Sequence, residues 1–220
     1  SLIATARLSL AEAEGNAAMA ADLRQRTGCA REATMLGPVA WMSVSGVREP
    51  SILDKPNTPL PSQVPGPGPF TPNLRPMKVA AFGCRIPLYA ETSAAGVREV
   101  AVDVDVPKSG HIGVGLKSSA AAVLRAGGQV AIDRPHALGA KGVTRYARLE
   151  ATPGTLRIVV RVGMDQDFSS IEIGAWDENG KPLPQRAPQP GQQQRARHRV
   201  GAAFLEAELV GPGHQRAEQQ

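Results

Sequence analysis

Side chains able to perform catalysis are few and widely spaced in this sequence. A serine or cysteine nucleophile needs an adjacent base, and no Gly-x-Ser-x-Gly motif occurs. Residues 110–118 contain glycines ahead of Lys117, but Leu116 separates Gly115 from Lys117 and the surrounding pattern is that of a strand, which does not fit a phosphate-binding loop. The histidines are expected in a turn, a loop, a linker and the tail: His111, His136, His198 and His214. We therefore predict that the chain is not an enzyme.

Oxygen-bearing side chains in two loops form a candidate site for a hard cation. Asp165 and Asp167 precede a predicted strand, and Asp177 and Asn179 lie in the turn that follows it. Carboxylate and amide oxygens in loops are typical calcium ligands. The alternative is that these side chains only keep the loops solvated. We predict no cofactor, and calcium is the one ion that the pattern leaves open.

Two aromatic side chains mark a candidate contact surface. Trp176 is predicted to share one face of its strand with Glu172, and Tyr146 is predicted to lie on the exposed face of another strand. Together with the loops 163–169 and 177–181 they form the predicted surface. Two interpretations remain open, because such rings pack against a protein domain or stack on a sugar ring.

Alternating apolar side chains predict the strands that position these residues. The clearest case is 98–106, with valines on one face and mainly acidic side chains on the other, where Asp103 and Asp105 are expected to pair with Arg157 and Arg161 across strands. Gly127-Gly128 predicts a hairpin turn. The predicted strands are 85–89, 98–106, 112–116, 121–125, 129–133, 143–150, 156–162 and 170–176. Their number and spacing are typical of an all-β sandwich.

The rest of the chain divides around this predicted sandwich. Helical spacing over 2–14 and 17–27 predicts two short paired helices, and the proline-rich stretch 50–76 is incompatible with a helix or a central strand. We interpret that stretch as a loop that packs on the next domain, with a ligand for a PxxP-binding domain as the alternative. The predicted order is a helical hairpin at 1–28, an extended connector at 29–84, the sandwich at 85–184, a basic glutamine-rich linker at 185–198 and a further helical segment at 199–220.

Two stretches resemble known families. The segment ARLSLAEAEGNAAMAADL resembles the helical hairpin of a tetratricopeptide repeat. The stretch GVREVAVDVDVPKSGHIGVGLKSSAAAVLRAGGQVAIDR, followed by YARLEATPGTLRIVVRVG and IEIGAWDENGKPL, is similar to the jelly-roll, PA14-like sandwich modules of large bacterial tetratricopeptide-repeat proteins. The resemblance implies a jelly-roll sandwich between helical repeats, in a piece of a longer chain. In such modules an asparagine–glycine pair occupies the hairpin, where this sequence has Gly127-Gly128.

The distribution of charge limits the class of partner, and the two cysteines raise the question of a disulfide. The chain carries a formal charge of +5 with a pI near 9.6, but residues 98–178 hold equal numbers of basic and acidic side chains and the excess lies mainly in 179–205. We therefore do not expect nucleic acid as a partner, and no apolar run is long enough to span a membrane. Cys29 and Cys84 are expected to be free thiols, with a disulfide as the alternative. Compartment is left open.

The function predicted from these patterns is non-catalytic. The first hypothesis is a structural or protein-interaction module within a helical-repeat protein, whose partners are other domains of the chain or another protein. The alternative is a carbohydrate-binding accessory module that uses the sandwich edge around Trp176.

Overall fold

The computed structural model describes residues 2–55, 58–88, 95–134, 143–164 and 170–189. These residues contain three helices and eleven strands, numbered in chain order: α1 Leu2–Ala13, α2 Ala17–Thr27, β1 Glu32–Ala40, α3 Val44–Arg48, β2 Met77–Ala80, β3 Ile86–Pro87, β4 Gly96–Val106, β5 Gly110–Ser118, β6 Ala122–Ala126, β7 Gln129–Arg134, β8 Val143–Ala151, β9 Gly154–Met164, β10 Ser170–Asp177 and β11 Gln185–Arg186. None of the described helices is long and apolar enough to cross a membrane.

The strands form two antiparallel sheets. The large sheet has the order β2-β1-β4-β9-β6-β7, with β11 also paired to β4, and the small sheet has the order β3-β10-β5-β8. One apolar core joins side chains of both sheets, because the alternating valines and isoleucines of β4 and β9 pack against those of β5 and β10. The predicted β-sandwich is therefore confirmed at the level of two antiparallel sheets.

All the strands predicted between residues 98 and 177 are present, with ends that differ by a few residues. The β6–β7 hairpin turns at Gly127 and Gly128, whose φ angles are 56° and 89°. Such left-handed backbone is favoured for glycine, which explains the residues at this turn. At the start of the sandwich, the predicted strand 85–89 is reduced to the two residues of β3.

The predicted connector 29–84 needs correction, because part of it belongs to the large sheet. β1 lies between β2 and β4, and α3 also falls within this segment. β1 was not predicted because it contains Pro38. Proline donates no backbone hydrogen bond and is therefore unexpected in a central strand. The β1–β4 register is irregular between Leu36 and Ala40, so the proline occupies a break in the ladder.

Residues 49–55 and 58–74, here called the covering segment, pack over the outer face of the large sheet. Leu53, Leu60 and Val64 are buried there against apolar side chains of the sheet, including Ala101 and Val159. The described part of the proline-rich stretch is thus a loop packed on the sandwich, as the first interpretation predicted.

The start of the predicted linker 185–198 also needs correction. Residues 185–186 form β11 on the edge of β4, and the Thr34 hydroxyl donates to the carbonyl of Pro188 at 2.8 Å. The glutamine-rich composition of 185–198 did not indicate this pairing, because the pairing depends on β1 and β4, which are distant in the sequence. Residues 190–198 and the predicted helical segment 199–220 lie outside the described residues.

The helices α1 and α2 pack on each other and on the edge of the sandwich. Leu8, Ala11 and Ala20 form a small buried cluster with Cys84. The Asn16 side chain accepts a hydrogen bond from the backbone of Met19 and caps α2. The helical pair is present, whereas its resemblance to a tetratricopeptide repeat stays a prediction.

Cys29 and Cys84 form a disulfide, so the prediction of free thiols was wrong. The two cysteines are 55 residues apart. Cys29 pairs with Gly174 of β10, and Cys84 lies two residues before β3, which pairs with the same strand. Their proximity follows from this sheet order, which spacing in the sequence cannot show.

Candidate functional site

The outer face of the small sheet, here called the open face, is built around Trp176. On β10 and β5 the residues next to this ring are glycines, Gly174 and Gly115. A Cβ atom at Gly174 would collide with the indole, and one at Gly115 would make a tight contact of 3.0 Å with it. At Gly113 the same added atom would be 3.9 Å from the ring, an ordinary contact. The indole therefore rests on the backbone of the sheet, most closely at Gly174, where there is no room for a side chain.

The C-terminal end of α2 covers one edge of the indole. Gly28 caps this helix with a left-handed φ of 66° and leaves no room for a Cβ beside the ring nitrogen of Trp176. The backbone N–H of Ala175 donates to Gly28 at 3.0 Å, and that of Ala30 donates to Ile173 at 2.8 Å. Residues 28–30 thus extend the sheet along β10, so Trp176 is half-buried by the chain's own helical pair.

Tyr146 lies beside Trp176 on the open face. It is opposite Gly115 in the β5–β8 register, its ring centroid is 6.0 Å from that of Trp176, and the two planes are tilted by 59°. Tyr146 remains 71% exposed. The structure thus brings these two predicted contact residues together on one face, with Tyr146 as the accessible ring.

An ion pair lies beside the two aromatic rings and lines the same pocket. Lys117 and Glu172 are opposite each other on β5 and β10, with 2.7 Å between Nζ and Oε1. Together with Thr144, the aromatic pair and the disulfide they line a pocket of about 220 Å³. The pocket offers apolar ring surface next to hydrogen-bond donors and acceptors, so it can hold a small polar ligand or a protein side chain.

A second pocket, of about 600 Å³, lies on the other side of the aromatic pair. Its lining includes His111, Arg148 and the turn 177–181. At its rim the Lys108 ammonium donates to Glu178 at 2.7 Å, which raises the pKa of Lys108 and lowers that of Glu178. The two pockets make the open face a shallow groove with the aromatic rings in its middle.

The predicted calcium ligands are only partly described. The Asp177 carboxylate accepts hydrogen bonds from the backbone of Asn179 at 2.9 Å and of Lys181 at 2.8 Å, so it organises its own turn. Asp165 and Asp167, and with them most of the loop 163–169, lie outside the described residues. Within the described ranges, no group of three or more His, Cys, Asp or Glu side chains is placed to hold a metal ion.

The outer face of the large sheet carries charged side chains that the covering segment buries. Asp103 and Arg157 pair at 2.8 Å, as predicted, but Arg161 pairs with Glu99 at 2.9 Å rather than with Asp105. The Asp105 carboxylate instead pairs with Arg186 of β11 at 2.6 Å. These side chains point away from the core. The sequence did not show that a loop would cover the Asp103–Arg157 and Glu99–Arg161 pairs, whereas the Asp105–Arg186 pair stays about half exposed.

Glu99 is the most enclosed of these groups. Its carboxylate accepts hydrogen bonds from the Ser51 hydroxyl at 2.7 Å and from the backbone of Ile52 and Leu53 at 3.3 Å. Burial raises the pKa of Glu99, opposed by the bond from Ser51 and by the charge of Arg161. Through these hydrogen bonds Glu99 anchors the covering segment. In the sequence, the only indication of Glu99 was the alternation of acidic residues with valines along β4.

Comparisons with known proteins give no family. No protein-family model matches the chain, and no curated protein matches it. Among solved structures, it is similar to part of a β-glucosidase from Kluyveromyces marxianus in complex with glucose, with a TM-score of 0.41 and 9% identity over 66% of this chain and 16% of that chain. A GH31 α-xylosidase from Xanthomonas citri gives 0.33 and 14% over 50% of this chain and 13% of that chain. The chain spans a small part of these enzymes, and the scores are too low to assign their activities to it.

Proposed function

We propose that this chain is a non-catalytic binding module of a larger protein, which contacts another domain or a partner protein through the open face. The observation that carries the proposal is the Trp176–Tyr146 pair, because it presents an exposed aromatic ring on a surface shaped by glycines. Exposed aromatic rings in shallow pockets are typical of contact surfaces. The covering segment already occupies the other outer face.

The chemistry near the groove supports a binding role rather than catalysis. His111, the histidine within the described residues, lies 3.9 Å from the exposed carboxylate of Glu150. Neither group is paired with a serine or cysteine nucleophile in the described hydrogen bonds, and both cysteines are in the disulfide. The disulfide also supports a location in an oxidising compartment, where such bonds persist.

A carbohydrate ligand is the second candidate, and the chemistry of the smaller pocket favours it. Aromatic rings stack on the apolar face of a sugar, while the Lys117 ammonium and the Glu172 carboxylate offer a donor and acceptors for hydroxyl groups. At about 220 Å³ the pocket is below the roughly 300–1,000 Å³ of typical small-molecule sites, so it suits one sugar unit of a longer glycan.

A glycan array with matched variants tests the carbohydrate candidate. Retention that is lost in Tyr146→Ala and kept in Phe70→Ala, an even more exposed aromatic outside the open face, supports it. Retention that survives Tyr146→Ala contradicts it.

Photo-crosslinking tests the protein-contact candidate. A photoreactive phenylalanine analogue at position 146 is expected to crosslink to one defined peptide of another domain or protein in cells that express the protein. The same analogue at Arg31, which is exposed outside the open face, serves as the control. Equal, diffuse crosslinking from both positions would count against a contact at Tyr146.

A further inference from the structure

In the part of the chain that the structure describes, the strand β8 ends the small sheet, and one side of its backbone is not hydrogen-bonded to another strand. Among the described residues β8 pairs only with β5, over the whole range from Val143 to Ala151. An edge of this length presents a row of backbone donors and acceptors to which another extended chain can pair.

The apolar core is incompletely covered at the same edge. Ala147, Leu149 and Ala151 point from β8 toward the core, pack against it and remain only partly buried. Across from them, Leu156 of β9 is also partly buried, and Val130 of β7 is 54% exposed. An added strand with small apolar side chains on its inner face would remove this surface from water.

A groove of about 970 Å³ follows the end of this edge. It is lined by residues 148–151 of β8, and across from them by Gly127, Gln129 and Leu156. One wall is thus the end of the small sheet, formed by β8 and the start of β5, and the other wall is the β6–β7 hairpin with the start of β9. An extended segment fits such a slot better than a helix does, because its backbone can continue the ladder of β8.

The charges along β8 indicate what the incoming strand carries. Arg145 and Arg148 are exposed, and within the described part of the chain neither forms an ion pair with a carboxylate. Acidic side chains opposite Arg148 would be favourable cross-strand partners. A second copy of β8 is a poorer occupant, since it would bring two sets of these arginines to one interface.

We infer that β8 is a docking strand for an extended peptide segment of a partner protein, in which small apolar residues alternate with acidic ones. The apolar side chains face Ala147, Leu149 and Ala151, and the acidic ones lie on the side of Arg148. This edge adjoins the groove around Trp176 and shares Arg148 with its second pocket. The inference goes beyond the proposed function because the incoming segment pairs with the backbone of β8, which the proposed function does not use.

Fluorescence anisotropy with a peptide copied from residues 100–106 tests this inference. In that probe, VAVDVDV, valines alternate with alanine and aspartates. Saturable binding is expected, and N-methylation of one alternate set of residues should abolish it while methylation of the other set has little effect, because only one set faces β8. Arg148→Gln should weaken binding roughly two- to fivefold, as expected for an exposed ion pair. Arg31→Gln is the matched control.

Three results would overturn the inference. The first is the absence of saturable binding at millimolar peptide concentration. The second is an equal loss of peptide affinity with both N-methylated sets. The third is a dimer of this chain that the peptide fails to dissociate. Glu172→Gln alters the open face but not this edge, so unchanged peptide affinity in that variant keeps the test separate from the proposed function. Loss of peptide binding in Glu172→Gln would place the peptide on the open face and contradict docking on β8.

Discussion

The outer face of the large sheet carries charged side chains yet is shielded from solvent, whereas the outer face of the small sheet carries aromatic rings and stays partly exposed. On the large sheet, Glu99 and Arg161 pair beneath the covering segment. On the small sheet, Trp176 rests on glycines and Tyr146 remains accessible. The difference shows that polarity alone does not predict exposure, because here the charged face is buried and the aromatic face stays accessible.

Removing one partner of the buried ion pair is expected to have the largest effect. Glu99 and Arg161 have side chains that are 0% and 3% exposed, so Arg161→Met leaves an uncompensated carboxylate in the interior. We expect a loss of about 3–5 kcal/mol in the free energy of unfolding, measured by urea denaturation. The control is Arg186→Met, whose pair with Asp105 is 50% and 45% exposed and is worth about 0–1 kcal/mol. Equal losses in the two variants would contradict the structural role of the covered face.

Removal of the disulfide is expected to cause the second-largest loss of stability, on the side of the sandwich that carries the open face. The double variant Cys29→Ser and Cys84→Ser releases a 55-residue loop and frees the helical pair from the sandwich edge. A cost of about 2–4 kcal/mol is expected in thermal or urea unfolding. Reductant should lower the melting temperature of the parent protein and leave that of the variant unchanged. Insensitivity of the parent protein to reductant would show that the bond is absent in solution.

Filling the space beneath the indole is expected to have an intermediate effect. In Gly174→Ala the new methyl group collides with Trp176, and overpacking of this kind costs about 1–3 kcal/mol. Gly113→Ala places its methyl group 3.9 Å from the same ring and should change stability by no more than about 0.5 kcal/mol. Tryptophan fluorescence reports both unfolding and ring position, and indistinguishable variants would mean that the indole does not rest on Gly174.

The smallest expected effect is on the pH dependence of stability. Glu99→Gln also removes a charged partner of the buried Arg161 and so lowers stability at every pH, and only the slope of the curve against pH is compared here. Burial holds the pKa of Glu99 above the value of about 4.3 in an unfolded chain, so the folded protein binds more protons in the interval between the two values. The contribution of Glu99 to stability is therefore present at low pH and lost as the pH rises through its folded pKa. Glu99→Gln should remove this component from the curve of unfolding free energy against pH. A difference curve of opposite slope would mean that Arg161 lowers the pKa instead.

Local patterns predicted most of the sandwich. The strict alternation of apolar and polar side chains predicted β4 and β9. The Asp103–Arg157 pair followed from the facing positions of these two residues on the paired strands. The shared face of Trp176 and Glu172 followed from strand periodicity in the same way. These features depend on neighbours a few residues away or on simple antiparallel pairing, which a sequence displays directly.

Features that depend on distant segments were missed. The break in the β1 ladder tolerates Pro38, and the disulfide joins residues that meet only because both segments pair with β10. Burial of Glu99 requires the covering segment, whose prolines indicated only an extended loop. Gly28 and Gly174 are interpretable only after Trp176 is seen to occupy the space where a side chain would lie.

Hydroxyl-radical footprinting tests the central claim, that the open face is the contact surface and the covered face is structural. The measurement compares the oxidation of Tyr146 with that of Phe70, which is 98% exposed on the covering segment, in the purified chain and in intact cells that express the protein. We predict that the ratio of Tyr146 to Phe70 oxidation falls severalfold in cells, because the open face is occupied there. An unchanged or increased ratio would contradict the account.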